Sequence, residues 1–226
     1  MNEEKSNIYF INLEITVSDP LKAEIYHISI INANNEIILD SYVKPKFAES
    51  LHILKNRLDI SEYKLVNSAD EINSFEKIIN KTFEKATHII SYRTVDVLLQ
   101  PLLKDNIASR LLSEGKMVQR RRTPITPLDE LPLDNLVGYD NYDLSDKKTI
   151  QNQNKIQTIV VAERFSIVYG EYEQGRPKTQ PLSTAMDYYG INVCNVTDSI
   201  RKAAQTKALW ETMYPSFYND VIKEIK

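Results

Sequence analysis

Two polar residues, Asn12 and Glu14, interrupt an otherwise apolar run, IYFINLEIT, at Ile8–Thr16. If the run is a strand, side chains two positions apart point to the same face, so the amide and the carboxylate share one side. A carboxylate inside such a strand is costly unless it is paired, hydrogen-bonded or bound to a metal ion. The pattern leaves two alternatives open: a functional site on the polar side, or a half-exposed edge strand in water.

Asp96 is a second candidate, because it lies near the start of a short helical pattern, VDVLLQPLL, after the buried-type strand THIISY at 87–92. The structural alternative is an acid in a first helical turn, which the helix dipole favours. His27 falls within a strand pattern, and there a structural histidine is a better interpretation than a catalytic one. The single cysteine, Cys194, and the three histidines show no zinc-type spacing, so no zinc site is predicted.

A basic run, Arg120, Arg121 and Arg122, stands at the centre of KMVQRRRTPITP and is followed by an acidic stretch, LDELPLDNLVGYDNYDLSD. Such a charge run is most often a solvated surface. Two alternatives are a basic arm that contacts phosphates and an internal ion-paired loop.

The composition of the 226 residues is that of an ordinary globular protein with one sizeable core. The net charge of −3 gives no bulk attraction for nucleic acid, so a nucleic-acid site would need a local basic patch. One cysteine excludes an internal disulfide, the polar start MNEEKSN is not a signal peptide, and no apolar run reaches the length of a membrane span. We therefore expect a cytoplasmic protein with no membrane partner.

Alternating patterns predict three strands at the start of the chain. The second, at 24–33, and the third, at 36–45, are joined by a tight turn and form an antiparallel hairpin beside the first. Residues 45–67 read as an irregular connection with at most one helical turn, and Ser68 with Glu71 forms a capping box that begins a helix over 68–85. IQTIVVAERFSIVYG reads either as a helix or as a strand that runs into a helix, and Thr197 or Asp198 caps the last long helix.

Four stretches in this order resemble the DnaQ-like 3′–5′ exonucleases, the DEDDh branch of the ribonuclease H-like fold. They are NLEITVSDP, SYRTVDVLL, IQTIVVAERF and LSTAMDYYGINVCNVTDSIRKAAQTKAL. The resemblance implies an α/β fold: a mixed sheet of three antiparallel strands followed by parallel strands, flanked by helices. It also implies one domain over 1–226 with an insertion of about 50 residues at 106–155.

In that family four carboxylates hold two divalent cations, and a histidine acts as the general base. On the matching positions Glu14 and Asp96 are retained, whereas Asn12, Thr197 and Lys202 replace two carboxylates and the histidine. Two carboxylates and one ammonium leave a charge of −1 where the family has −4. We therefore predict a degenerate site without a metal cofactor, in which Lys202 pairs with Glu14 or Asp96 in place of the metal.

The leading functional prediction is a catalytically inactive exonuclease-like protein that binds nucleic acid, such as a single strand or a 3′ end, or a protein partner. The predicted phosphate and base contacts are Lys202, Arg201, Arg120, Arg121, Arg122 and Tyr92. One alternative is an active exonuclease that uses Mg or Mn with unusual ligands, among them Glu14, Asp96 and Asp198. Another is a pure protein-interaction module that uses the insertion or the C-terminal tail.

Overall fold

A computed structural model describes residues 7–17, 19, 22–113, 155–192 and 198–217. The side chains of residues 96, 112 and 113 lie outside that description. Thr197, the run Arg120–Arg122 and the last nine residues, 218–226, are also outside it. The predictions made for those residues therefore remain predictions.

The described chain forms eight strands and eight α-helices. The strands are β1 (Ile8–Ile15), β2 (Ile25–Asn32), β3 (Ile37–Tyr42), β4 (His88–Ser91), β5 (Leu111–Ser113), β6 (Ile156–Val160), β7 (Tyr172–Glu173) and β8 (Arg176–Pro177). The helices are α1 (Ala48–Arg57), α2 (Ile60–Ser68), α3 (Glu76–Glu84), α4 (Asp96–Leu99), α5 (Asp105–Ala108), α6 (Val161–Tyr169), α7 (Leu182–Tyr188) and α8 (Ser199–Met213).

Six strands make one mixed sheet in the order β3-β2-β1-β4-β6-β5. β1 pairs with β2 and β2 with β3 in antiparallel fashion, whereas β1 with β4, β4 with β6 and β6 with β5 are parallel. β7 and β8 form a separate two-stranded hairpin. The mixed sheet that the resemblance implied is therefore confirmed.

Alternate residues of the strands point to opposite sides of the sheet, and here both sides carry apolar side chains. Helices therefore cover both faces. On one face Phe10 packs in a cluster with Phe165 of α6 and Trp210 of α8. On the other face Ile11 packs with Ile79 and Phe83, both of α3. α8 lies against β1 and β2, which places its first turn over the polar side of β1.

The helix predicted over 68–85 is wrong in its first half. Ser68 is the last residue of α2, and its hydroxyl donates back to the Lys64 carbonyl at 2.9 Å instead of capping a new helix. The backbone beyond it is used in a tertiary contact, because the Asp70 carbonyl accepts from the Lys44 amide at 2.9 Å. Helical structure resumes with a 3₁₀ turn at Ile72–Phe75 and then α3.

Residues 45–67 were predicted as an irregular connection with at most one helical turn, and they instead contain two helices, α1 and most of α2. The side chain of Asp59 caps α2 by accepting from the Glu62 amide at 2.8 Å. The two helices bury only a few side chains, such as Leu54 and Val66, against Tyr26. Their apolar stripe is therefore weak, and the helical periodicity of apolar residues did not reveal them in the sequence.

The beginning of the predicted insertion belongs to regular structure. Residues 106–108 lie in α5, and 111–113 form the edge strand β5, which is parallel to β6. Residues 114–154 lie outside the described part of the chain, so an insertion over 106–155 remains a prediction. Among the described helices, none is both long enough and apolar enough to cross a membrane.

Candidate active site

The polar side of β1 lies on the sheet face that α8 covers. Asn12 is opposite Ser29 in the register with β2, and Glu14 is opposite His27. Since directly opposed residues of antiparallel strands share a face, these four side chains lie together. The Glu14 side chain is 21% exposed, so its carboxylate needs a partner.

Lys202 of α8 supplies that partner. Its Nζ lies 2.6 Å from Oε1 of Glu14, and its side chain is 34% exposed. Asn12 donates through Nδ2 to the same Oε1 at 2.9 Å and to the hydroxyl of the buried Ser199, also at 2.9 Å. The predicted contact between Lys202 and an acid is thus confirmed for Glu14, while its role as a substitute for a metal remains a prediction.

The first turn of α8 brings both contacts to β1. Asp198 begins the helix as its N-cap and accepts from the Ile200 amide at 3.4 Å. Ser199 and Lys202 are three residues apart in the helix and therefore lie on one face, towards the strand. Asp198 was predicted to cap this helix, with a displaced metal ligand as the alternative, and its observed contact confirms the cap.

The retained family acid Asp96 is the first residue of α4, which follows β4, the parallel neighbour of β1. This places its backbone at the same end of the sheet as the end of β1. Its pairing and any ligand role stay predictions, because its side chain lies outside the description.

The described residues do not fit a pair of divalent cations. Oε1 of Glu14 already accepts from an ammonium and an amide, and the ammonium repels a cation at contact distance. Asn12 turns its Nδ2 towards the carboxylate, where a metal site would need an oxygen. Among the side chains that the structure describes, no group of three or more His, Cys, Asp or Glu residues is arranged to hold a metal ion.

A histidine–aspartate pair lies beside Glu14, and the sequence did not reveal it. Nε2 of His27 lies 3.0 Å from Oδ1 of Asp40, which also accepts from the Ser29 hydroxyl at 2.6 Å. The buried imidazole packs on the Tyr42 ring at a centroid distance of 4.2 Å. The interpretation of His27 as a structural histidine therefore agrees with its contacts. The sequence pattern that could have revealed the pair is the alternation of polar residues, with His27 and Ser29 two apart in β2 and Asp40 and Tyr42 two apart in β3.

Carboxylates surround this end of the site. Burial raises the pKa of the Glu62 carboxyl, with Asp59 and Glu14 adding to the effect and His27 and Lys202 opposing it. Burial also raises the pKa of the Tyr42 phenol, and so do its acidic neighbours, which are Glu62, Asp198, Asp40 and Asp59. Glu62 was missed because α2 itself was not predicted. The many negative charges disfavour the approach of a phosphate backbone from the side of α2 and β3.

The predicted nucleic-acid contacts have different outcomes. Arg201 is exposed on α8 next to Lys202, as a phosphate contact requires. Tyr92 is only 6% exposed, and its hydroxyl donates to the Gln180 carbonyl at 2.8 Å. Burial also raises the pKa of this phenol. This corrects the expectation for Tyr92: its ring faces are packed in the core, so we remove it from the proposed contacts.

Replacing Lys202 by Met is expected to lower the free energy of unfolding by about 1–2 kcal/mol, because Glu14 loses its counterion while half-buried. The double variant Glu14→Gln with Lys202→Met is expected to lose less than the single variant, since it leaves no carboxylate unpaired. Urea denaturation at pH 7 measures both. Equal losses in the two variants would contradict the pairing.

Neither a family model nor a curated protein matches this chain. Solved structures do match. E. coli exonuclease I in complex with a dT13 oligonucleotide has a TM-score of 0.52 at 15% identity, over 94% of this chain and 42% of that chain. An ExoI/SSB-Ct complex has a TM-score of 0.52 at 13% identity, over 97% of this chain and 44% of that chain. The zinc-bound form of an E. coli ExoI–ssDNA complex has a TM-score of 0.53 at 15% identity, over 97% of this chain and 43% of that chain.

The chain thus spans less than half the length of these exonuclease I chains. At such low identity the likeness is one of fold, and activity does not follow from it. The observed strand order and the resemblance in the sequence both give three antiparallel strands followed by parallel ones, and both agree with this likeness of fold. This chain therefore has the ribonuclease H-like fold seen in exonuclease I.

Proposed function

We propose that this protein is a catalytically inactive, exonuclease-like protein that acts by binding. The observation that carries the proposal is the ion pair between Glu14 and Lys202, at 2.6 Å, on the polar side of β1. A site for phosphodiester hydrolysis by two metal ions needs an excess of negative charge at this point. Lys202 cancels the charge of Glu14, which is the one carboxylate at the family's positions whose side chain the structure describes.

The missing base supports the same proposal. A general base needs a free acceptor within hydrogen-bond reach of the attacking water. His27 is the histidine closest to Glu14 in the sheet register, but it is buried and bonded to Asp40. Thr197, at the family's histidine position, cannot accept a proton near neutral pH.

Two classes of partner remain in the proposal. Exposed Arg201 and the arginines at 120–122 would contact the phosphates of a single strand or a 3′ end. The carboxylates of Asp40, Glu62 and Asp198 repel such a strand, which favours a protein partner on that side. The two classes differ in their response to salt, because phosphate contacts weaken steeply with ionic strength.

The test combines a nuclease assay with a binding titration on one labelled single-stranded oligonucleotide. We expect no release of mononucleotides with Mg²⁺ or Mn²⁺, and the same baseline for Glu14→Gln. Fluorescence anisotropy at low and at physiological salt separates the partners: salt-sensitive binding indicates a strand, and no binding at either salt indicates a protein. Metal-dependent release that Glu14→Gln abolishes would overturn the proposal in favour of an active exonuclease.

A further inference from the structure

Arg57, the last residue of α1, holds the end of the strand that carries Glu14. Its Nη1 donates to the carbonyl of Thr16 at 2.8 Å, and its Nη2 donates to the carbonyl of Ile15 at 2.7 Å. A planar guanidinium that donates to two successive carbonyls fixes their direction more closely than one hydrogen bond does. The contact therefore constrains the backbone directly after Glu14.

The pairing of β1 with β2 is irregular at this point. Glu14 is opposite His27, but Ile15 is opposite Ile25, so the register with β2 shifts between Glu14 and Ile15. In a strand, a slip of one residue moves a side chain to the other face of the sheet. The extra residue is Tyr26 of β2, so Glu14 is the last residue of β1 in the regular register. A contact that holds the chain directly after Glu14 therefore helps to keep this register from slipping.

Other contacts hold the same turn of chain. The Thr16 amide donates to the Glu24 carbonyl at 2.9 Å, and the Thr16 hydroxyl accepts from the Glu24 amide at 3.0 Å. The Glu24 carboxylate in turn accepts from the amides of Lys46 and Phe47, just before α1. One end of α1 is thus tied to Glu24 and the other, through Arg57, to the end of β1.

Tyr26 completes the arrangement. The Arg57 guanidinium carbon lies 5.0 Å from the centre of the buried Tyr26 ring, so the ring supports the guanidinium in a cation–π contact. Burial raises the pKa of Tyr26 to about 12, with the Glu14 carboxylate as the second cause and Arg57 opposing it. Glu14, Tyr26 and Arg57 are therefore electrostatic neighbours.

We propose that Arg57 is a positioning residue of the candidate site: by holding the two residues that follow Glu14, beside the irregular residue Tyr26 of β2, it keeps Glu14 directed at Lys202. The inference builds on the site of the proposed function, in which the pair between Glu14 and Lys202 is the central feature. Arg57 makes no hydrogen bond to either side chain among the contacts described, so its effect acts through the backbone of Ile15 and Thr16.

A double-mutant cycle of Glu14→Gln and Lys202→Met in several backgrounds tests the proposal. In the wild-type background we expect a coupling factor of about 5 to 10 in the unfolding equilibrium constant. In an Arg57→Ala background we expect it to fall below about 2. Arg110→Ala is the matched control, because Arg110 also donates to two backbone carbonyls. These are the carbonyls of Glu84 at 2.7 Å and Ala86 at 3.3 Å, at the end of α3.

The outcomes are distinct. If Arg57→Ala lowers stability but leaves the coupling factor at its wild-type value, Arg57 is only structural and the proposal fails. If Arg57→Ala does not fold, the cycle is run in Arg57→Lys, which keeps the charge but loses the fork of donors; an unchanged factor there also overturns the proposal. Metal-dependent nuclease activity would overturn the proposed function alone, since the coupling factor is measured by urea denaturation without metal.

Discussion

A variant that combines Asn12→Asp with Lys202→Asp is expected to bind Mn²⁺ at least about 100-fold more tightly than the wild-type protein. The two changes remove the ammonium and add two carboxylates beside Glu14, which shifts the local charge by three units. At 4 Å in a solvent-like dielectric, each unit changes the interaction with a divalent cation by about 2 kcal/mol. Both side chains are partly exposed, so the new carboxylates keep contact with water; without metal the variant is expected to be less stable than the wild-type protein, as Lys202→Met is.

Isothermal titration calorimetry with Mn²⁺ measures the difference. The matched control combines Asn106→Asp with Lys178→Asp, which makes the same change in net charge at exposed positions on α5 and directly after β8. The control is expected to behave like the wild-type protein. Saturable binding of two ions by the wild-type protein at micromolar concentration would show that Lys202 does not block the site, and our interpretation of the pair would be wrong.

Acid is expected to destabilise this protein through His88, which lies in β4. Burial lowers the pKa of this imidazole to about 4, against a weaker opposing hydrogen bond from Gln157. The folded state therefore keeps His88 neutral while the unfolded chain takes up a proton near pH 6.5. The resulting stability is fully present above pH 6.5 and is lost as the pH falls towards 4. Across that interval the loss is about 3 kcal/mol.

Urea denaturation at pH 7.5, 5.5 and 4.5 measures this loss, and His88→Gln is expected to reduce it because an amide does not titrate. His52→Gln is the control, since His52 is exposed on α1 and its replacement is expected to leave the wild-type profile unchanged. The same loss of stability in His88→Gln as in the wild-type protein would show that other groups cause the acid sensitivity.

The sequence by itself determined the sheet and the chemistry of its central strand. Alternation in the first three strands predicted an antiparallel hairpin beside β1, and the register confirms it. The family resemblance placed Lys202 in one site with two acids, which predicted that Lys202 would meet an acid, and it meets Glu14. The hairpin prediction succeeded because strand period is a property of residue types. The prediction for Lys202 needed the positions that the resemblance implied, and charge complementarity then gave the pairing.

Only the tertiary structure decided what surrounds that pair. Contacts such as Asn12 with Ser199 join residues that are 187 positions apart, and no local pattern encodes them. For the same reason the sequence did not reveal Glu62 on an unpredicted helix, the bond between His27 and Asp40, or the hold of Arg57 on Thr16. Tyr92 was a predicted base contact and is buried, because whether a ring faces solvent or core depends on which helices pack over it.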